Sequence, residues 1–292
     1  MTVLVAGATG FLGSYLVKAF LQKGFTVLVL IRSSSNLIRL QDNLSFIIVC
    51  NLEETSLENI FSQYSIDIVV NTVTDYGRNG SVLSSLIETN LLFGLRLLEA
   101  SVTHEIKAFI NTDTLLPKAI NPYALSKAQL VDWMHYYADR HLSTKIINIK
   151  IEHMYGPKDD KKKFISWFAS QLISNVNHID LTSGIQKRDF IFISDVTKAY
   201  EKIIDHLEQF STFEEFELGS GESIEMKAVI DMITSIIAEK HCVSARLNFG
   251  VLSYRQGEQM EMKADIRKLL DLGWKPQTTI ELGLKKTLEE YV

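Results

Sequence analysis

The chain opens with MTVLVAGATGFLG (Met1–Gly13), and this stretch decides the fold. The apolar run Val3–Ala6 has the composition of a strand, and it leads through three closely spaced glycines into a helical pattern. Glycines at this spacing permit a tight turn, and they let backbone amides approach a pyrophosphate at a helix N-terminus. The stretch therefore predicts a dinucleotide site made by Gly7, Thr9, Gly10, Phe11, Leu12 and Gly13.

Short β-branched runs alternate with longer helical patterns through the first half of the chain. Strands are predicted at Val3–Ala6, Thr26–Ile31, Phe46–Cys50, Ile66–Val73, Ala108–Asn111 and Lys145–Ile151. Helices are predicted at roughly residues 12–23, 55–63, 81–103 and 122–141. Several strands are apolar throughout, as parallel strands covered on both faces are. The pattern predicts an α/β protein with a Rossmann-like, doubly wound parallel sheet.

The alternation of strands and helices becomes less regular after about residue 156. Helical patterns lie near residues 161–175, 195–208, 225–240 and 279–291, and strand-like pieces lie near 189–193 and 214–218. We predict a dinucleotide-binding domain over residues 1–156, to which the chain returns near 189–208 and 224–240. Residues 157–292 then form mainly a smaller α/β substrate-binding region over the carboxyl edge of the sheet.

Composition excludes several classes of protein. The 292 residues carry a formal net charge of −5 without a basic cluster, so no nucleic-acid partner is expected. Cys50 and Cys242 lie too far apart to suggest a metal or disulfide framework. We find neither a signal-peptide pattern nor an apolar stretch long enough to span a membrane. The expectation is a cytoplasmic protein without a metal or a membrane partner.

The end of the second predicted strand indicates which dinucleotide binds. A free 2′-hydroxyl usually meets an acidic side chain about 20 residues after the glycine motif. The chain instead has Arg32-Ser33-Ser34-Ser35 there, and an arginine with neighbouring hydroxyls suits a 2′-phosphate. We therefore predict NADP(H), bound by Arg32 and Ser33 and also by Asn51 and Leu52 after the third strand. A solvated loop arginine is the alternative.

A tyrosine and a lysine at helical spacing indicate the chemistry. In Tyr123-Ala124-Leu125-Ser126-Lys127, the first and last residues share one face of a helix that begins near Pro122. An ammonium and an oxidised nicotinamide favour the phenolate, so the tyrosine can exchange a proton while hydride moves at the adjacent carbon. Thr112, at the end of the fifth strand, can bond the same substrate oxygen. Thr112, Tyr123 and Lys127 are the predicted catalytic group, and Tyr123 and Lys127 also contact the cofactor.

With these motifs, nearly the whole chain resembles the extended short-chain dehydrogenases/reductases of the sugar-nucleotide epimerase/dehydratase group. Further segments carry the resemblance: Glu88-Thr89-Asn90, Met154-Tyr155-Gly156-Pro157, Arg188-Asp189-Phe190, Tyr254-Arg255-Gln256-Gly257-Glu258 and Leu272-Gly273-Trp274-Lys275-Pro276. The resemblance implies that Asn90 lies near the cofactor and that Arg188 and Arg255 bind the diphosphate of a nucleotide sugar. A guanidinium fork suits such a diphosphate, although ordinary ion pairs are the alternative for both. Asp195 is interpreted as a helix-start residue.

Within the family, three features resemble the CDP-abequose/CDP-paratose synthase type. They are Asn111-Thr112-Asp113-Thr114, the short loop before Tyr123 and Asp75-Tyr76-Gly77-Arg78. Dehydratase members have an Asp-Glu pair after the catalytic threonine, whereas this chain has Asp113 but Thr114 in place of the glutamate. The likeness implies reduction by NADPH of a 4-keto, nucleotide-activated deoxyhexose, with a CDP-linked 3,6-dideoxyhexose favoured, for O-antigen or other surface polysaccharide. Asp75, Arg78, Asp113 and Thr114 are assigned to substrate binding.

Other readings stay open at this point. A 4-epimerase or 4,6-dehydratase acting on a nucleotide sugar is the first alternative, and an NADP-sensing regulator without catalysis is a remote one. Helices 81–103 and 122–141 could pair in a homodimer, as in related enzymes. Trp133, Tyr136 and Tyr137 suit such an interface, but they could equally cover the sheet.

Overall fold

The structure is a computed structural model that describes residues 1–78, 80, 82–174, 176–289 and 291. Ser81, Asn175 and Glu290, which the sequence placed in helices, lie outside the described residues. The chain forms two units. The first comprises Met1–Ile151 and Thr197–Glu217, and the second comprises Glu152–Val196 and Leu218–Val292.

A seven-stranded sheet forms the centre of the first unit, with strand order β11-β6-β5-β4-β1-β2-β3. Its strands are β1 (Thr2–Ala6), β2 (Thr26–Ile31), β3 (Ile47–Asn51), β4 (Ile68–Asn71), β5 (Ala108–Thr114), β6 (Lys145–Ile151) and β11 (Phe213–Leu218). The pairs from β6 to β3 are parallel. The neighbour of β6, β11, continues the parallel pattern, since the Ile146 amide donates to the Thr212 carbonyl and, six residues later on both strands, the Glu152 amide donates to the Leu218 carbonyl. The predicted doubly wound parallel sheet is confirmed.

Both faces of this sheet are buried, as its uniformly apolar strands require. Leu4, Leu28, Val69 and Phe109 belong to one buried cluster with residues of the helices on their side. Alternate positions such as Val5 point to the opposite face and are also fully buried. The side chain of a β5 residue therefore reaches one layer of helices or the other according to its position along the strand.

The helices of the first unit follow the predicted alternation. They are α1 (Phe11–Gln22), α2 (Leu57–Gln63), α3 (Leu83–Ile87), α4 (Phe93–Thr103) and α5 (Pro122–Ala138). A 3₁₀ segment at Ile38–Phe46 precedes β3 and was not predicted. A π-helical turn, Glu88–Leu92, joins α3 to α4 within the single predicted helix 81–103. Such turns re-aim the side chains they carry.

The second unit holds three short strand pairs and several helices. Its strands are β7 (His153–Tyr155), β8 (His178–Asp180), β9 (Lys187–Arg188), β10 (Phe190–Phe192), β12 (Ile224–Glu225) and β13 (Arg246–Asn248). They pair as β7 with β10, β8 with β13 and β9 with β12. Its helices are α6 (Phe164–Ile173), α8 (Met226–Ala238), α9 (Arg267–Asp271) and α10 (Ile280–Leu288). Helix α7 (Ile193–Asp205) begins in this unit and ends in the first.

The segment through which the chain returns to the first unit differs from the predicted segments. It is Thr197–Glu217, whereas returns were predicted near residues 189–208 and 224–240. Residues 224–240 include α8, which packs against α6 and α10 of the second unit because its apolar face, with Val229 and Ile233, is buried there. Among the described residues, no helix has the length and apolar character needed to cross a membrane.

Candidate active site

The glycine turn after β1 has the shape that a pyrophosphate site needs. Gly7 has a φ of +82°, and a Cβ there would lie 2.6 Å from the Thr72 Oγ1. A Cβ on Gly13 would lie 2.2 Å from the Gly7 carbonyl oxygen. Gly10 is the N-cap of α1 and makes no side-chain cap, so the backbone amides of the first turn face outward from a helix N-terminus. The turn therefore fits the phosphates of a dinucleotide.

The other predicted residues of the glycine motif differ in exposure. Thr9 is partly exposed, whereas the side chains of Phe11 and Leu12 are buried. Only the backbone groups of Phe11 and Leu12 are therefore available to a cofactor.

The ends of β2 and β3 meet in a network of short polar contacts. The side-chain amide of Asn51 donates to the Ser33 hydroxyl at 3.1 Å, and the backbone amide of Leu52 donates to the Ile31 carbonyl at 3.0 Å. Arg32 is exposed, and its guanidinium has no hydrogen bond or ion pair within the described parts of the chain. The Glu53 carboxylate, on the loop after β3, accepts a hydrogen bond from the backbone amide of Ser33 at 3.3 Å, so a negative charge lies near this loop as well as the positive one of Arg32.

Helix α5 begins at Pro122, as the sequence predicted. The Asn121 side chain caps it by accepting a hydrogen bond from the Ala124 amide at 2.8 Å, and Pro122 occupies the first helical position, where its fixed φ is favourable. Tyr123 therefore lies in the first turn of the helix, and Lys127 lies one turn later on the same face.

Lys127 is buried and fixed at the carboxyl edge of the sheet. Its Nζ donates to the Val73 carbonyl at 3.1 Å and to the Thr112 carbonyl at 3.0 Å. An ammonium has three donors, so one remains for a ligand. Burial lowers the pKa of Lys127 to about 8, and the negative charge of Asp113 opposes this shift. The residue thus ties β4 and β5 to the helix that carries Tyr123.

Tyr123 meets Thr114 rather than Thr112. Burial raises the pKa of the Tyr123 phenol, and Tyr76 and Asp113 add to the rise, while a side-chain hydrogen bond with Thr114 lowers it. Without a cofactor the phenol is therefore held protonated. Thr114 is the last residue of β5. A hydroxyl at this point is available to the same substrate oxygen as the phenol.

The side chain of Thr112, which was predicted to act with Tyr123, contacts a different tyrosine. The Thr112 Oγ1 lies 2.7 Å from the hydroxyl oxygen of Tyr200, a fully buried residue of α7, and the two share a hydrogen bond. Phe109 packs on the face of β5 that meets α5, so Thr112 points to the opposite face, where Tyr200 covers it. Thr114 has the same parity as Thr112, but it is the last residue of the strand and meets Tyr123 there. Tyr200 is the residue that sequence reasoning missed.

Asn90 clamps the loop that follows β4. Its side chain accepts from the Asp75 amide at 2.7 Å, donates to the Asp75 carbonyl at 2.8 Å and donates to the Ser126 hydroxyl at 3.1 Å. Because these contacts use its donors and an acceptor, the predicted cofactor contact becomes a structural role near the site. The π-helical turn aims Asn90 at the loop.

The clamped loop brings aromatic and charged groups to Tyr123. The ring of Tyr76 lies against that of Tyr123 with their centroids 5.1 Å apart, and the Arg78 guanidinium lies 5.0 Å from the centroid of Tyr76. The Asp75 carboxylate accepts from the Gly77 amide at 2.8 Å. Of the predicted substrate residues here, Arg78 is thus part of a stack that ends on Tyr123.

The predicted diphosphate arginines both lie in the second unit. Arg188 is buried, donates to the Lys187 carbonyl at 2.7 Å and forms an ion pair with Glu258. Arg255, three residues before that glutamate, is exposed. Asp195 lies in the first turn of α7, where its carboxylate accepts from the Gln277 and Thr278 amides, as its assignment to the helix start implied.

This geometry is accompanied by a clear family match. Residues 3–219 match the NAD dependent epimerase/dehydratase family. The chain belongs to this family. Over 98% of its length it is 33% identical to a CDP-abequose synthase of Salmonella muenchen, of which it covers 96%. A CDP-abequose synthase of Salmonella typhimurium is 28% identical over 98% of this chain and 97% of the relative.

Solved structures of the family have the same fold. The structure of UDP-glucose 4-epimerase from Thermotoga maritima with UDP-glucose matches with a TM-score of 0.83 and 21% identity, over 100% of this chain and 98% of that one. At this identity the likeness establishes the fold alone. Together, the family and the relatives make this chain a nucleotide-sugar-modifying enzyme of the extended short-chain dehydrogenase/reductase type.

Proposed function

We propose that the protein reduces the 4-keto group of a nucleotide-activated deoxyhexose with NADPH, and that a CDP-linked 3,6-dideoxyhexose is its substrate. The observation that carries the proposal is the assembly of Thr114, Tyr123 and Lys127 at the carboxyl edge of the sheet. The two CDP-abequose synthases, similar over nearly the whole chain, support the choice of sugar. The product would serve O-antigen or other surface polysaccharide synthesis in the cytoplasm.

Each residue of the site has its own role in the proposed carbonyl reduction. The bound cofactor supplies the hydride. Tyr123 donates a proton to the ketone oxygen, and the Thr114 hydroxyl hydrogen-bonds that oxygen as negative charge develops. Lys127 keeps a positive charge close to the phenol and offers its third N–H to the cofactor ribose. The amides of the glycine turn hold the pyrophosphate, and Arg188 and Arg255 hold the sugar diphosphate.

The surroundings of Thr114 favour reduction over elimination of water. The family's dehydratases carry an Asp-Glu pair immediately after the catalytic threonine. With Thr114 in that role, the next residues are Leu115 and Leu116, which cannot move protons. The threonine beside the tyrosine therefore lacks both acids. This supports a simple ketone reductase more strongly than the assignment to Thr112 did.

The choice of NADP(H) rests on Arg32. Its exposed guanidinium, after β2 and beside Ser33, suits the 2′-phosphate, which an arginine binds with two parallel hydrogen bonds. Glu53, on the loop after β3, would repel that phosphate, or it could accept from a free 2′-hydroxyl. A direct comparison of NADPH with NADH therefore tests the cofactor separately from the reaction.

The reaction is tested with CDP-, dTDP- and GDP-linked 4-keto-6-deoxyhexoses and with the CDP-linked 4-keto-3,6-dideoxyhexose. The expected result is NADPH oxidation in proportion to product, with a new C4 hydroxyl seen by NMR. The variant Tyr123→Phe should retain cofactor binding and lose turnover, because it keeps the ring and removes the proton donor. Turnover of a nucleotide sugar without net NADPH oxidation would instead show an epimerase.

We also propose that the protein is a homodimer through α4 and α5. Trp133 and Tyr136 are exposed on α5, with ring centroids 5.7 Å apart, so they do not cover the sheet. Exposed aromatic side chains of this size are typical of protein interfaces.

A further inference from the structure

A ladder of buried amide side chains crosses the sheet near its carboxyl ends. Asn71, Asn111 and Asn148 are paired in register on β4, β5 and β6, and each is at most 1% exposed. The Asn71 Nδ2 donates to the Asn111 Oδ1 at 3.1 Å, and the Asn111 Nδ2 donates to the Asn148 Oδ1 at 2.9 Å. A buried polar row of this kind is stable only if all its members are satisfied.

The orientation of the first side-chain amide fixes the direction of the hydrogen bonds along the ladder, and that direction requires a hydrogen-bond acceptor at its far end. The Val73 amide donates to the Asn71 Oδ1 at 3.2 Å, so the Nδ2 of Asn71 points onward, and each following amide must have the same orientation. The Asn148 Nδ2 then donates to Asp113 and to Glu215, at 3.0 Å each. Ionised carboxylates only accept hydrogen bonds, so they suit the end of a chain of donors.

Asp113 joins this ladder to the catalytic group. Its carboxylate is buried, and its Oδ1 accepts from the Thr114 amide at 2.7 Å. The preceding carbonyl, that of Thr112, accepts from Lys127 at 3.0 Å. Asp113 was predicted to bind substrate, but its carboxylate is occupied by protein donors. It lies between the backbone group that holds Lys127 and the residue that meets Tyr123.

We propose that Asp113 is a positioning residue of the catalytic group: it fixes the end of β5 so that Thr114 meets Tyr123, and it places a buried negative charge close to Lys127 and Tyr123. This charge favours the protonated forms of both side chains. Its use rests on the proposed function, because ketone reduction needs a phenol that donates a proton, whereas alcohol oxidation needs the phenolate.

The charges around the site are consistent with this role. The titratable groups that face Asp113 and Tyr123 are Lys127 and Tyr123 itself on α5, Lys150 on β6, Glu215 on β11 and Tyr76 on the loop after β4. Burial raises the pKa of the Asp113 carboxyl, whereas the hydrogen bonds from Asn148 and Thr114 and the charges of the two lysines lower it. Lys150 is itself paired with Glu215 at 2.5 Å. Within this set, Asp113 is the anion that raises the pKa of both Lys127 and Tyr123.

Removing this charge tests the proposal. Asp113→Asn is compared with Asp67→Asn, a matched control at the other end of β4, where Asp67 accepts from the Thr2 amide and pairs with Lys107. One readout is the pH dependence of kcat with NADPH and the 4-keto sugar. The other is the ultraviolet titration of tyrosinate in the NADP⁺ complex, with the signal of Tyr123→Phe subtracted. In Asp113→Asn both transitions should move to lower pH by about one unit, a tenfold change in the ionisation constant.

The outcomes separate this proposal from the proposed function. Unchanged transitions in folded, NADP⁺-binding Asp113 variants would overturn it, and so would an equal shift in Asp67→Asn. If the wild type reduces no 4-keto sugar, the proposed function fails, but the tyrosinate titration still decides the role of Asp113. If Asp113→Asn does not fold, because its amide faces the Asn148 Nδ2, Asp113→Ser takes its place, since a hydroxyl can accept from Asn148.

Discussion

Gly13→Ala tests whether the glycine turn is a pyrophosphate site. The added Cβ would lie 2.2 Å from the Gly7 carbonyl oxygen, well inside the 3.0 Å below which real Cβ atoms are essentially never found. The next nearest atoms, the Ala8 Cα and the Gly7 carbonyl carbon, are also backbone, at 2.8 Å. No side chain can turn away to make room, so the turn itself must move by almost 1 Å.

The displacement gives the size of the expected effect. The Gly10 amide donates to the Gly7 carbonyl at 2.9 Å, so movement of Gly7 also moves the amides that face the pyrophosphate. A hydrogen bond to a charged group contributes about 1.5–3 kcal/mol, and losing one weakens binding roughly 10- to 150-fold. Overpacking should also lower the free energy of unfolding by about 1–3 kcal/mol.

The assay is titration of NADPH into wild type, Gly13→Ala and Gly24→Ala, followed by fluorescence or calorimetry. Gly24 lies just after the opposite end of α1, has a φ of +79° and has no atom within 4 Å of an added Cβ. Its alanine variant should lose about 1–2 kcal/mol of stability through backbone strain and keep the wild-type Kd. If folded Gly13→Ala binds NADPH within about threefold of wild type, the assignment of the turn is refuted.

Three further predictions concern the cofactor, the sheet and the assembly. Arg32→Ala should weaken NADPH binding by roughly 10- to 150-fold and leave NADH binding within about threefold, and equal losses for both cofactors would contradict the 2′-phosphate contact. Asn111→Ala should lower the free energy of unfolding in urea by about 2–6 kcal/mol, because it leaves a donor of Asn71 and an acceptor of Asn148 buried without partners, and a loss below about 1 kcal/mol would argue against the ladder. Trp133→Glu should turn the proposed dimer into a folded monomer, as measured by light scattering, and a variant that stays dimeric would place the interface elsewhere.

Local patterns in the sequence were sufficient for much of the fold and part of the site. The strands of the sheet were recognisable because both of its faces are buried, and the glycine turn because its spacing follows from backbone geometry. The start of α5 was readable from the proline at its first helical position, and the pairing of Tyr123 with Lys127 follows from helical periodicity alone. These features depend on neighbours within a few residues along the chain.

Tertiary structure decided which side chains meet across elements. The sequence predicted Thr112 as the catalytic hydroxyl and assigned Thr114 to substrate binding. In the structure Tyr200 of α7 covers the Thr112 hydroxyl, whereas Thr114, on the same face of β5 but at the end of the strand, meets Tyr123. Likewise, the sequence predicted that Asn90 lies near the cofactor. In the structure Asn90 lies on the π-helical turn, and its side chain accepts a hydrogen bond from the Asp75 amide.

The same division holds for the charged residues. The sequence identified Asp113 and Arg188 as functional positions, but the pairing of Asp113 with Asn148 and of Arg188 with Glu258 depends on residues 35 and 70 positions away. The sequence by itself determined the strands, the glycine turn and the spacing of the tyrosine and lysine, since these follow from local backbone geometry. Only the tertiary structure decided which hydroxyl and which carboxylate accompany them, because these contacts depend on which elements pack over each face and at the end of the strand.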